Sequence, residues 1–171
     1  MSEKKHVEME EHKSVVLEEL EEAPKNSAIA VTGHPIHAMM IHFPIALVIA
    51  TLGSDFFYWI TADEFFYRSG LWASGFAFFT GVLAGVVGTA ELLLVKGIRM
   101  RVASWTHAVA AMTLIAVMAL NWGIRIEAPD KVLPHGLFVS VLATILTAFA
   151  GWHGGKLVFD HGIGLLISPN K

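Results

Sequence analysis

The chain has 171 residues, 54% hydrophobic and only 16% charged, with a formal net charge of −3 and a mean hydropathy of +0.58. That composition excludes an ordinary water-soluble domain and points to a membrane protein. It contains no cysteine, which excludes thiolate metal sites, iron–sulfur clusters and covalently attached c-type haem; any metal must be held by nitrogen or oxygen.

Residues 1–33 read as an acidic N-terminal tail. Glu3, Glu8, Glu10, Glu11, Glu18, Glu19, Glu21 and Glu22 stand against Lys4, Lys5, Lys13 and Lys25. Val15, Val16, Leu17 and Leu20 give a short helix with a narrow apolar stripe, ended before Pro24. A solvated tail is the plain reading and docking onto a basic partner the sharper one. His6 and His12 belong to this solvated segment. No basic stretch precedes an apolar core here, so no cleavable signal peptide is expected and the first span serves as the insertion signal.

Four apolar stretches follow, at 39–60, 71–95, 102–124 and 135–158. Each has about the 20 residues needed to cross the hydrocarbon core. The links are short, so neighbours run antiparallel. The expected fold is all-α: an integral membrane antiparallel four-helix bundle over residues 34–165, with a C-terminal tail at 166–171. Lys96, Arg99, Arg101, Lys156 and Lys171 gather on the side where the first span starts, against Arg68, Arg125 and Lys131 on the other. The positive-inside rule then makes the first side cytoplasmic, with both termini there.

Antiparallel threading brings six of the nine histidines to that same face: His34, His37 and His42 at the start of the first span, His107 about one turn inside the third, and His153 and His161 around the end of the fourth. An imidazole at membrane depth needs a partner, so several at one depth point to a haem iron or another transition metal. His135, behind Pro134 on the opposite side, reads as interfacial or capping. If the first helix begins near Pro35, His37 and His42 lie about 7.5 Å apart along its axis and about 140° apart around it. They then serve two centres, or one ligates while the other hydrogen-bonds. Pro44 frees the carbonyl of Met40 and kinks the helix.

On the second span Ala77, Gly81, Gly85 and Thr89 recur every four residues and form a smooth ridge for a neighbouring helix or a flat macrocycle. On the third, Ala103 and Ala111 leave lateral room around His107. Arg99, Arg101 and Lys156 are placed either to pair with haem propionates or to anchor helices to anionic lipid. Glu91 is placed to orient an imidazole or to bridge to a basic residue. Asp55, with Ser54 and Tyr58, lies too far towards the other side to join the histidines. It reads as a capped interfacial carboxylate, with a proton or quinol site as the sharper alternative.

Gly33-His34-Pro35-Ile36-His37 running into His42-Phe43-Pro44-Ile45-Ala46-Leu47, together with Gly154-Gly155-Lys156-Leu157-Val158-Phe159-Asp160-His161-Gly162-Ile163-Gly164, resembles a family of predicted four-span prokaryotic membrane proteins, domain of unknown function 2231. The resemblance covers about residues 33–165 and leaves out the acidic tail. It implies a four-helix membrane domain with motif positions matched by His34, His37, His42, His107 and His161. The family pattern has Pro where this chain has Ala38, and His153 falls outside the motif.

The leading functional expectation is a b-type cytochrome-like electron-transfer protein or subunit, carrying one or two haem b groups between facing helices. His42 with His107 is the first axial pair, and His37 with His161 a second pair or supporting residues, with His34 a further ligand candidate. Such a protein has no bond-making centre of its own. Its partners are the lipid bilayer, a quinone and a redox protein or larger respiratory-type complex. The alternative is a site for zinc, copper or non-haem iron formed by His37, His42, His107 and His161, or a structural or assembly subunit of a membrane complex, with oligomerisation open. Without a nucleophile elbow, a phosphate loop or a soluble basic patch, the sequence gives no support to hydrolase or nucleic-acid functions.

Overall fold

A computed structural model describes residues 18, 23–24, 26–32 and 34–164. The expected amphipathic helix near Val15 lies outside the described residues. Four helical spans, Ile36–Thr61, Glu64–Leu94, Val102–Glu127 and Val132–Phe159, are long and apolar enough to cross a membrane. They pack as an antiparallel four-helix bundle in which the first span neighbours the second and fourth, and the third span does the same. The first and third therefore face each other diagonally.

Local chemistry sets the ends. The first span is a short helix, α1 (Ile36–Met40), and a long one, α2 (His42–Thr61), joined through Ile41, which keeps right-handed helical dihedrals and donates to the His37 carbonyl at 3.2 Å. Pro44 cannot donate the next helical hydrogen bond, to the Met40 carbonyl, and that carbonyl belongs to the last residue of α1. Ala62, in the left-handed region at φ 55°, ends α2, and the Asp63 side chain caps α3 (Glu64–Leu94) by accepting from the Phe65 N–H at 2.9 Å. After a turn of helix α4 (Lys96–Arg99) comes α5 (Val102–Glu127). The last span enters through irregular turns, non-helical at Leu133, and continues as α6 (Leu137–Phe159).

The segment before the first span folds back on the same end of the bundle. A two-residue ribbon, β1 (Ala30–Val31) with β2 (His34–Pro35), leads into α1. The Pro24 carbonyl lies so close over Gly97 that a Cβ there would sit 2.2 Å from its oxygen. Only glycine fits this crossing.

Val48, Ala77, Met118 and Ala143, one from each span, meet at the centre of the core. The outer surface carries the large apolar side chains: Phe43, Trp72, Phe138, Ile145 and Trp152 are each more than 60% exposed. Apolar outside and small or polar inside is the arrangement of a bundle solvated by lipid, where close packing and hydrogen bonds replace the hydrophobic effect between helices. The Ala77–Gly81–Gly85 ridge is used in this way. A Cβ on Gly81 would meet Ile115 at 3.4 Å and Pro44 at 3.8 Å, and one on Gly85 would meet Ile115 at 3.0 Å.

Gly81→Leu should therefore push the first and third spans off the second and cost about 1–3 kcal/mol. Gly123→Ala, where a Cβ meets nothing within 4 Å, should be neutral or stabilising by less than about 1 kcal/mol. Thermal unfolding of the detergent-purified variants checks both.

Candidate functional site

Two polar clusters occupy opposite ends of the bundle interior. At the end where the first span starts, His37 of α1 and His107 of α5 face each other across the diagonal. Their ring centroids are 6.3 Å apart and their planes 77° to one another. Each ring is tied to the helix beside it: His37 Nδ1 to the Ala84 carbonyl and His107 Nδ1 to the Ala150 carbonyl, both at 2.9 Å. A carbonyl can only accept, so Nδ1 carries a proton, and in the neutral ring the lone pair is then on Nε2. This is the usual orientation of a ligating imidazole, whose other nitrogen is held by an outer partner.

The rings approach so closely because glycine lies beneath each one. A Cβ on Gly88 would stand 2.6 Å from the His37 ring, and one on Gly154 would stand 3.0 Å from the His107 ring. In both cases the glycine is four residues after the carbonyl that holds the ring. The same mount is built twice, once by the first two spans and once by the last two. Gly85, Gly88, Ala103, Ala111 and Gly154 around these rings are only half-buried, so this end is lined by small groups and is not sealed.

The other expected ligands lie apart from this pair. His42 opens α2 as an exposed residue, with Nδ1 on the Met39 carbonyl at 3.2 Å. Five residues of helix turn it about 140° from His37, and the fold sets His37, not His42, beside His107. His34 is exposed in β2 with Nδ1 on the Thr32 carbonyl, and His161 is half-buried in the turn after α6. His153 bonds within its own helix to Phe149 and lies against that ring, centroids 4.3 Å apart. Among the described residues, no three His, Asp or Glu side chains converge as a metal-ion site.

Of the basic residues, Arg99 donates to the Leu93 carbonyl at 2.8 Å, and Arg101, buried, donates to the Gly97 carbonyl at 2.9 Å. Lys156 is exposed. Glu91 is buried and accepts from the Ser27 hydroxyl. It thus ties the segment before the first span to α3.

The second cluster corrects the reading of Asp55. It is not an interfacial carboxylate but 1% exposed, and Arg125, counted above with the opposite rim, is buried against it. Arg125 Nη2 donates to Asp55 Oδ2 at 2.7 Å. Ser140 Oγ also donates to that oxygen; Asn121 Nδ2 donates to Ser140 Oγ at 2.9 Å, and Arg125 Nε to Asn121 Oδ1 at 3.2 Å. The Tyr67 hydroxyl donates to the Arg125 carbonyl at 3.0 Å. The guanidinium has room because Gly70 has no side chain: a Cβ there would stand 2.9 Å from Nη1. Between the clusters the centre of the axis is filled by Val48, Ala77, Met118 and Ala143.

Removing Arg125 would leave a charge stranded in the apolar interior. Arg125→Ala should cost about 3–5 kcal/mol, and changing both partners, as Asp55→Leu/Arg125→Met, should cost far less. Unfolding of the purified variants in a denaturing detergent separates the two outcomes.

No curated protein and no solved structure matches the chain. A family model described as a predicted membrane protein, DUF2231, matches residues 33–166. That span takes in all four helices and both polar clusters, so the chain is a membrane protein belonging to the DUF2231 family.

Proposed function

We propose that this chain is a membrane-embedded electron-transfer protein or subunit of the b-cytochrome type, in which His37 and His107 provide the axial nitrogens for haem b. The observation that carries this reading is a pair of opposed, pre-oriented imidazoles with no converging third donor among the described residues. A bare ion draws on three or four protein ligands, whereas haem iron takes four nitrogens from its own macrocycle and asks the protein for two. With ring centroids 6.3 Å apart, both imidazoles would lie within reach of one metal whose bonds to imidazole nitrogen are about 2.0–2.1 Å.

When bound, haem b supplies one-electron chemistry. The chain's own contribution is positioning. The Ala84 and Ala150 carbonyls fix the tautomer and plane of each imidazole, and Gly88 and Gly154 let the rings lie flat on the neighbouring helices. Lys156, exposed at the same end, is the basic residue we assign to a propionate, with Arg99 and Arg101 nearby in sequence terms at the second-to-third link. Two imidazoles fill both axial positions, which favours electron passage over oxygen binding. The distribution of Lys and Arg supports a cytoplasmic histidine end, and the membrane we assign is a prokaryotic cytoplasmic one, as the family resemblance implies. A quinone and a redox protein are the partners this reading implies.

One observation favours a second reading. Ile115 and Pro44 already cover the Gly81–Gly85 ridge, so the space beside the rings suits a ligand smaller than a macrocycle. The same two imidazoles would then hold zinc, copper or non-haem iron, completed by water or by residues of a partner.

The substitution series distinguishes them. His37→Ala and His107→Ala should each lower the Soret absorbance per chain at least about tenfold, while His34→Ala and His42→Ala leave most of it. Equal loss in all four variants, or colourless wild-type protein with stoichiometric metal by elemental analysis, sinks the haem assignment.

A further inference from the structure

The two histidine mounts belong to a larger equivalence that runs through the whole bundle. Shifted by 70 residues, the first span falls on the third. His37-Ala38, Ile45-Ala46 and Gly53 are matched by His107-Ala108, Ile115-Ala116 and Gly123, and Asp55 lands on Arg125. Shifted by 66, the second span falls on the fourth. Gly70-Leu71, Ser74, Ala77, Ala84-Gly85 and Gly88 are matched by Gly136-Leu137, Ser140, Ala143, Ala150-Gly151 and Gly154. The structure gives these matches the same roles. Val48 and Met118 meet in the central cluster with Ala77 and Ala143, and Ala84 and Ala150 are the two carbonyl acceptors. The chain is thus two like helical hairpins, related by an axis along the bundle, with both polar pairs facing each other across it.

At only one of these facing positions do the halves carry opposite charge. A histidine meets a histidine at one end, but Asp55 meets Arg125 at the other. Both lie 18 residues beyond their histidine, which is five helical turns and about 27 Å along the axis, so each stays on its histidine's face. The pair is not well satisfied: Asp55 Oδ1 and Arg125 Nη1 are buried without a hydrogen-bond partner. A buried pair left in that state adds little to stability, and the best-attested use of such a pair is to specify register.

We propose that Asp55 and Arg125 are positioning residues: they pair the two hairpins in one arrangement and at one depth, and so hold His37 opposite His107. Apart from the Tyr67 hydroxyl on the Arg125 carbonyl and Trp122 against Gly75, the two hairpins meet through small apolar faces, and an apolar contact shifted by a turn still packs apolar on apolar. Displacing a charge from its partner leaves both exposed to hydrocarbon, which makes the slipped arrangement costly. The equivalence adds a specific requirement. Asp55 takes a hydrogen bond from Ser140, and Ser74 is the matching residue beside the third span; Gly70 and Gly136 are likewise matched, and both approach Arg125. Either half can therefore seat either charge.

This proposal concerns where His37 and His107 lie, and its test needs no bound cofactor. In the cysteine-free chain, His37→Cys/His107→Cys gives two thiols for a short bifunctional thiol reagent. Intact mass distinguishes one bridging molecule from two attached singly. The exchange Asp55→Arg/Arg125→Asp should fold and keep the bridged yield within about twofold of the parent, while the apolar pair Asp55→Leu/Arg125→Met should stay four-helical and lose bridging at least about fivefold. Loss of folding or of bridging in the exchanged chain overturns the proposal. Parental bridging in the apolar pair overturns it too, because the ion pair would then be filling space and setting nothing. Absence of haem from the purified protein touches neither result and bears only on the function proposed above.

Discussion

A carboxylate and a guanidinium inside an apolar bundle must find each other, and the rest of this structure is arranged around that requirement. Asp55 and Arg125 come from the two diagonal spans, which have no other polar contact at that end. Their pairing fixes the relative depth of two helices whose remaining contacts are alanine, valine, methionine and glycine surfaces. Five helical turns away the same two helices bring His37 and His107 to a 6.3 Å centroid separation. One interaction sets depth, and the other uses it.

The spans divide this work. The first and third supply the side chains with chemistry. The second and fourth supply receptors: Gly88 and Gly154 below the imidazoles, the Ala84 and Ala150 carbonyls at their Nδ1 atoms, and Gly70 beside the guanidinium. Glycine and alanine serve here because a helix backbone can act as a hydrogen-bond acceptor for a ring only when the ring can reach it. The ion-pair end is closed, with Thr51, Ser74, Asn121 and Ser140 at most 1% exposed. The histidine end is half-open and small-lined. A sealed end opposite a more accessible one suits the proposed role, in which a cofactor would be held near the open end.

Hydropathy made the four spans and their antiparallel order legible, because the lipid requirement for long apolar helices is written directly in the sequence. The histidine end was legible for the same reason: antiparallel threading alone carries His37 and His107 to one side. Which histidine faces which was not. Helical spacing puts His37 and His42 about 140° apart, and nothing within the first span says which of the two points towards the third. The ion pair is not legible within single spans, where Asp55 reads as an interfacial acid and Arg125 as a rim base; the internal repeat of the chain is the signal that pairs them. The shifts differ, 70 for the first helix of each hairpin and 66 for the second, because Arg125 and Gly136 are four residues closer in sequence than Asp55 and Gly70, so no single offset shows the whole repeat.

The account turns on His37 and His107 filling both axial positions of one haem. The direct measurement is the reduced-minus-oxidised absorption spectrum of the detergent-purified wild-type protein, taken with and without carbon monoxide and calibrated by pyridine haemochrome. The account predicts b-type haem at about one per chain, six-coordinate in both oxidation states and unmoved by carbon monoxide. A well-folded, haem-supplied preparation without haem, or a reduced haem that binds carbon monoxide readily, would contradict it.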